Sequence, residues 1–262
     1  MRGIADYEFI RPLGSGNHGQ FFLAKRPERL PVAVDYVAVK VLSGESTGDT
    51  FRRATREMKA FAAVRSPHLV TLYDAGQHDG VFYYSMEYLP MGSLADPAEP
   101  VAQPLAVLAV GDAARAASAL HEAGMVHRDI KPGNVLLHST GGKLSDLGLS
   151  QVFTPGVTLT GMGPIASVEY TDPALLHGEP PGPANDVWSL GVTLHRVVAG
   201  VGPYGELPAN DGLLALRRIL STAPEVSPDL PTPLADVVRG CFAPAERRLT
   251  ASEVAHRLAA FG

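Results

Sequence analysis

The chain has 262 residues, 45% hydrophobic and 19% charged, with a formal net charge of -5; that is apolar material for one sizeable core or two modest ones, and the balance speaks against a nucleic-acid surface, which is usually basic. No apolar run approaches the roughly 18 residues of a membrane span, and residues 1–6 lack the apolar stretch of a signal peptide. Cys241 stands alone, which excludes a disulfide framework and a zinc cluster, fits a reducing cytoplasmic compartment and predicts a buried helix residue.

In chain order, residues 9–13, 21–24 and 36–42 are short apolar or alternating runs bounded by Gly and Pro, and they predict strands. Asp49 or Thr50 is placed to cap a helix carrying Phe51, Met58, Phe61 and Ala62 on one face. Residues 69–73 and 81–88 predict two further strands separated by 76–80, and 90–93 break the pattern as a hinge. Beyond them the chain reads as mainly helical. An Ala-rich helix over 106–123 stops at Gly124, and short strands at 135–137 and 143–145 flank a turn at 139–142. Residues 149–166, rich in Thr, Gly and Pro, read as a mobile loop. An apolar helix is predicted over 185–199, with later ones near 211–221, 232–242 and 251–260. No repeat of solenoid period is present.

The most informative run is His127-Arg128-Asp129-Ile130-Lys131-Pro132-Gly133-Asn134. It puts a potential base (Asp129), a phosphate-holding cation (Lys131) and a potential Mg²⁺ ligand (Asn134) on one short loop. Asp146-Leu147-Gly148 follows, placing a second potential metal ligand, a carboxylate, on a Gly-containing turn. Phosphoryl transfer asks for positioning, metal ions and positive charge around an anionic γ-phosphate. Gly14-Ser15-Gly16-Asn17-His18-Gly19 has GxGxxG spacing, and the strand-like 20–25 follows it where a dinucleotide fold would open a helix. Val37-Ala38-Val39-Lys40 sets a lysine among β-branched residues, costly unless an anion meets it.

In this order, with Asp186-Val187-Trp188-Ser189-Leu190-Gly191 downstream, these motifs make the chain resemble, nearly end to end, a eukaryotic-like protein Ser/Thr kinase catalytic domain. Its richness in Arg over Lys, with abundant Ala, Gly and Pro, suggests a bacterial one. The resemblance implies an α+β, bilobal fold over 1–262: a β-rich N-lobe with one main helix to about 89, a hinge at about 87–92 and a helical C-lobe from about 93. It implies ATP and Mg²⁺ (or Mn²⁺) as cofactors. Gly14, Ser15, Gly16, Gly19, Phe21, Ala38, Lys40, Met86, Glu87, Leu89 and Leu136 would surround the nucleotide. Glu57, preferred to the loop residue Glu45, would fix Lys40. Asp129 would accept the hydroxyl proton and Lys131 steady the transferred group. Asn134 and Asp146 would hold the metals. His127 would pack in an apolar spine with Phe61, Leu72 and Leu147. Lys131 favours Ser/Thr over Tyr specificity. Arg128 would receive a phosphate from the segment after Asp146, at Thr154 or, closer to the Ser167 anchor, at Thr158 or Thr160. Autophosphorylation is expected, with a protein substrate, no nucleic-acid partner, no membrane segment in this chain, and a monomer or weak homodimer.

The sequence departs from the family pattern at several places. Phe21 stands where Val is usual and Leu147 where Phe is usual. Ala166, Asp172 and Ala174 depart from G-T-x-x-Y-x-A-P-E, with Ser167 at the Thr place. The Glu missing at 174 normally meets a late Arg, here Arg247 or Arg248. The segment is therefore expected to be mobile or differently anchored, with Asp172 or Glu179 the nearest substitute acceptors. These departures leave a pseudokinase scaffold as the alternative reading. A small-molecule kinase of related fold is disfavoured by residues 170–173 and the Asp186 helix start.

Overall fold

A computed structural model describes residues 2–16, 19–43, 48–146, 168–208 and 211–261. The readings made for Asn17, His18, Glu45, Leu147, Gly148, Thr154, Thr158, Thr160, Ala166 and Ser167 fall outside these residues. The chain divides into two compact units. The described residues within 1–63 and 70–88 form the first, and those within 64–69, 89–146 and 168–261 form the second.

The first unit is an antiparallel sheet with one helix. Its strands are β1 (Gly3–Ile4), β2 (Tyr7–Gly16), β3 (Gly19–Lys25), β4 (Tyr36–Leu42), β5 (Leu72–His78) and β6 (Val81–Met86). They lie in the order β1-β2-β3-β4-β6-β5. Side chains alternate across a sheet, and the register sorts them. Phe22, Ala24, Val37, Val39, Val41 and Tyr83 join Ile4, Tyr7 and Leu30 in one apolar cluster. The alternate positions Phe21, Leu23, Ala38, Lys40, Tyr84 and Met86 leave from the opposite face. Tyr7 ties the first face together, since its hydroxyl bonds the Ser85 hydroxyl at 2.8 Å and donates to Asp74 Oδ2 at 3.0 Å.

Helix α1 (Gly48–Ala63) buries Ala54, Met58 and Phe61, one stripe at helical spacing. The ring of Phe51 meets Phe82 edge-on at 5.6 Å. The helix begins at Gly48, so Asp49 and Thr50 lie within its first turn and neither is its cap. The strand expected over 69–73 is also displaced: β5 runs 72–78 and the turn is confined to Asp79 and Gly80.

The second unit is mainly helical. α2 (Gln103–Glu122) is flanked by the hairpin β7 (Val135–His138) and β8 (Gly141–Leu144). The remaining helices are α3 (Pro173–Leu176), α4 (Pro183–Ala199), α5 (Gly212–Ser221), α6 (Thr232–Cys241) and α7 (Ala251–Leu258). α2 is Ala-rich and packs against α4, α7 and β8. Its small side chains let neighbours approach: a Cβ on Gly142 would come within 2.8 Å of Ala109 Cβ. Asp112, buried in α2, accepts from Arg115 at 2.5 Å and from the Gly142 amide at 3.0 Å, and lies 3.1 Å from His68. Cys241 is buried, and burial pushes its thiol up to about 12. No helix among the described residues is long and apolar enough to cross a membrane.

Candidate active site

The first unit supplies a glycine hairpin and a lysine. Gly14, Ser15 and Gly16 pair with Phe21, Gln20 and Gly19. Gly14 has φ 146°, a conformation that L side chains rarely adopt. At Gly19 the constraint is space, because a Cβ there would strike the Val41 carbonyl. Ala38 and Met86 are partners on the β4–β6 ladder, and both are buried. Lys40 is 5% exposed and lies opposite Phe21 on one side and Tyr84 on the other. Glu57 is half-buried on α1. The Glu87 amide donates to the Thr71 carbonyl at 2.9 Å.

The second unit holds the catalytic run. A 3-10 turn, Pro132–Asn134, leads directly into β7. Asp129 is half-buried, and the Lys131 ammonium lies 2.8 Å from each of its carboxylate oxygens. Asn134 Nδ2 donates to the Asp129 carbonyl at 2.7 Å and to Asp129 Oδ2 at 2.9 Å. That fixes the amide's orientation and makes its oxygen the atom offered to a cation. The Ser145 amide and hydroxyl both donate to the Asn134 carbonyl, at 2.8 and 3.1 Å. This brings the chain just before Asp146 onto the turn that carries Asn134. Asp146 itself has φ 61° and is half-buried. Two oxygen ligands completed by water and phosphate suit Mg²⁺, so Asn134 and Asp146 fit that ion. Leu89 is buried and Leu136 half-buried on β7.

The loop is positioned from below by Asp186, in the first turn of α4. This carboxylate is 1% exposed. Its Oδ2 accepts the His127 amide at 2.8 Å and lies 2.8 Å from His121 Nε2, while Oδ1 accepts the Arg128 amide at 2.8 Å. Arg128 has φ 71° and an exposed side chain. Such a backbone persists only where neighbours over-determine it, and the Asp186 bonds do so. His127 is fully buried, and burial pushes its pKa down, so it is neutral. Nε2–H donates to the Ser145 carbonyl at 3.1 Å and Nδ1 accepts the Asp129 amide at 3.4 Å. His127 is therefore a packed, hydrogen-bonded core residue and not a base. His121 was not singled out from the sequence. A histidine in the last turn of a helix reads as an ordinary surface residue, and only the fold reveals its partner.

The segment from Val168 onward is anchored on the same helix. Ser189 Oγ donates to the Tyr170 carbonyl at 2.7 Å. Asp172 Oδ1 caps α3 by accepting the Ala174 amide at 3.0 Å, and Oδ2 accepts from Asn185 at 2.9 Å and from Arg248 at 2.5 Å. The late arginine is therefore Arg248, and its acceptor is Asp172. Arg247 and Glu179 are both exposed. The Asp172 and Arg248 side chains are 3% and 5% exposed, making this a buried pair.

Comparison with known proteins agrees with this geometry. The chain is 31% identical over 272 residues to the serine/threonine-protein kinase PknJ of Mycobacterium tuberculosis, covering 98% of this chain and 45% of that protein. It is 32% identical over 246 residues to the serine/threonine-protein kinase PknA of the same species, covering 88% of this chain and 55% of that one. The chain thus spans about half the length of these relatives. Among solved structures, the kinase domain of M. tuberculosis PknI superposes with a TM-score of 0.71 at 24% identity, covering 100% of this chain and 98% of that one, which shows the fold. The family model described as protein kinase domain matches residues 7–258, a span that takes in the glycine hairpin, Lys40, the 127–134 run and Asp186, and the chain belongs to that family.

Proposed function

We propose that this chain is the catalytic domain of an ATP-dependent protein kinase that phosphorylates Ser or Thr hydroxyls. The observation that carries the reading is the arrangement around Asp129. Its carboxylate is met by Lys131 and Asn134, and the loop bearing it is held through two backbone amides by the buried Asp186.

Asp129 is the base: it accepts the proton of the attacking hydroxyl as the oxygen bonds to the γ-phosphorus. Lys131 has three donors on a flexible stem, and it turns from steadying Asp129 to steadying the transferred phosphoryl group. A divalent ion held by Asn134 and Asp146 would neutralise charge on the β- and γ-phosphates. Lys40 grips the α- and β-phosphates, with Glu57 as its carboxylate. The backbone of Gly14, Ser15, Gly16 and Gly19 is assigned to the phosphates, and the side chains of Phe21, Ala38, Met86, Leu89 and Leu136 are assigned to adenine. The Glu87 amide is committed to Thr71, so the Glu87 carbonyl and the Leu89 amide serve adenine. The buried Asp172–Arg248 pair weighs against the pseudokinase reading, because it fills the role left open by Ala174.

The test is phosphate transfer from labelled ATP, with Mg²⁺, to a generic protein substrate. Loss of a general base costs roughly 10²–10⁴-fold. Asp129→Asn should fold and lose about that much, and Asp146→Asn, which removes a metal-binding carboxylate, should fold and lose about 10²–10³-fold. Activity within about threefold of wild type for either, a small fraction of that range, rejects the mechanism. Autophosphorylation at Thr158 or Thr160, docking on Arg128, is part of the same proposal. Phosphopeptide mass spectrometry of active protein tests it, and full activity without phosphate there rejects it.

A further inference from the structure

Phe21 and Lys40 are direct partners on the β3–β4 ladder, so their side chains leave the same face of the sheet. The Lys40 ammonium lies 4.8 Å from the centroid of the Phe21 ring, within the roughly 6 Å reach of a cation–π attraction. Lys40 is only 5% exposed, so its charge has lost most of its hydration, the condition under which the ring quadrupole counts most. The aliphatic residue usual at this place in the family would fill space there without offering a π-face. The register also sets the ring beside Lys40, with Ala38 and Met86 further along the same face.

We propose that Phe21 is a positioning residue for Lys40. Its ring holds the ammonium on the sheet face, so that the lysine meets the α- and β-phosphates already placed. A lysine side chain carries substantial rotamer entropy, and the ring, acting together with the carboxylate assigned to Glu57, removes part of that cost before binding. The inference rests on the reading of Lys40 as the phosphate-gripping group. A grip on the α- and β-phosphates acts on bound substrate and on the transition state alike, so it belongs in KM and not in kcat.

The experiment compares Phe21→Leu and Phe21→Tyr with wild type, measuring calorimetric affinity for ATP, ADP and adenosine, together with kcat and KM for ATP. A cation–π contact of this class corresponds to about two- to fivefold in affinity, rising to about thirtyfold when desolvated. Phe21→Leu is expected to weaken ATP and ADP by at least about twofold and to raise KM in parallel. The loss should appear in KM rather than kcat and should exceed any loss for adenosine, since leucine still covers the adenine, and Phe21→Tyr, which keeps the ring, should stay close to wild type. Melting temperatures of both variants establish that they are folded.

Equal weakening of adenosine and ATP overturns the proposal, because the ring then acts on the adenine alone. Tighter ATP binding by Phe21→Leu overturns it in favour of simple bulk, and unchanged ATP affinity overturns it outright. In each of these cases wild-type ATP binding stands. A wild-type protein that binds neither ATP nor ADP is a different result, in which the nucleotide reading itself fails and the proposal with it.

Discussion

Removal of the Arg248 side chain tests the anchoring of the segment that follows Val168. Arg248 Nη1 donates to Asp172 Oδ2 at 2.5 Å and to the Ala184 carbonyl at 2.8 Å, Nε donates to the Ala243 carbonyl at 3.0 Å, and the guanidinium lies 5.1 Å from the Trp188 ring centroid. Both charged side chains are almost wholly buried. Arg248→Ala would leave the Asp172 carboxylate buried with, among the described residues, Asn185 and the Ala174 amide to meet it. Removing one partner of a buried pair costs about 3–5 kcal/mol. A chain of this size loses about 2–4 °C of Tm per kcal/mol, so the melting temperature should fall by roughly 6–20 °C. Arg247→Ala is the control: its side chain is exposed, and the change should stay within about 0.5 kcal/mol.

The assay is thermal and urea unfolding followed by circular dichroism, extended to a double-mutant cycle. Asp172→Ala should cost a similar amount by stranding the guanidinium. Combining Asp172→Ala with Arg248→Ala should cost less than the sum of the two single changes, by about 0.5–3 kcal/mol. Because Arg248 already has a carboxylate, Ala174→Glu should add nothing in the wild-type background. If Arg248→Ala lies within about 1 kcal/mol of wild type, well short of the loss for a buried pair, or the cycle is additive, the pair does not anchor the segment and the argument is refuted.

Asp186→Asn puts an N–H donor where two backbone amides and His121 now converge; phosphotransfer should fall by at least about tenfold, with His121→Ala milder, and an unchanged kcat for Asp186→Asn would reject the positioning role. Glu169 is buried, and burial raises its pKa above the ordinary 4.5, with Arg196 at 3.4 Å only partly offsetting this. A raised carboxyl favours folding below the unfolded value and loses that contribution as pH rises through the folded value. Glu169→Gln should therefore raise Tm more at pH 8 than at pH 5, and a gain that shrinks with rising pH contradicts this. Cys241, with its thiol pushed up to about 12, should resist iodoacetamide in the native state and react on unfolding; rapid native labelling would refute its burial.

What the sequence disclosed depended on whether a feature leaves a local trace. The apolar run 36–42 became β4 with unchanged bounds, and the Ala-rich run became α2; β4 is buried on both faces and α2 around most of its circumference, so a continuous run of apolar or small residues marks each. β5 was misplaced because it is only half-buried and carries Asp74, Gln77 and His78. Its identity comes from the ladder to β6 and from the contacts Asp74 makes with Tyr7 and Arg29. α3, four residues long, has no room for a period and is specified by the Asp172 cap.

The same distinction runs through the candidate site. The 127–134 run was legible because its chemical groups are crowded into one loop. The bonds that hold the loop and the following segment join residues 59 and 76 positions apart, and such separations leave no periodic mark. Cost does leave a mark. A carboxylate at the start of an apolar helix must find donors if it is buried, and this cost agrees with the family resemblance of 186–191 that singled out Asp186. Applied to Arg247 and Arg248 it could say only that a buried guanidinium needs an acceptor. Choosing between the two arginines, and between Asp172 and Glu179, required the side-chain directions that the fold imposes. Asp172 became available to Arg248 because the turn that caps α3 also brings it beside Asn185 on the first turn of α4. One helix start therefore anchors both the catalytic loop and the segment after Val168. The missing Glu at 174 could be replaced from two residues away because the fold needs a carboxylate beside the first turn of α4, not at a fixed place in the chain.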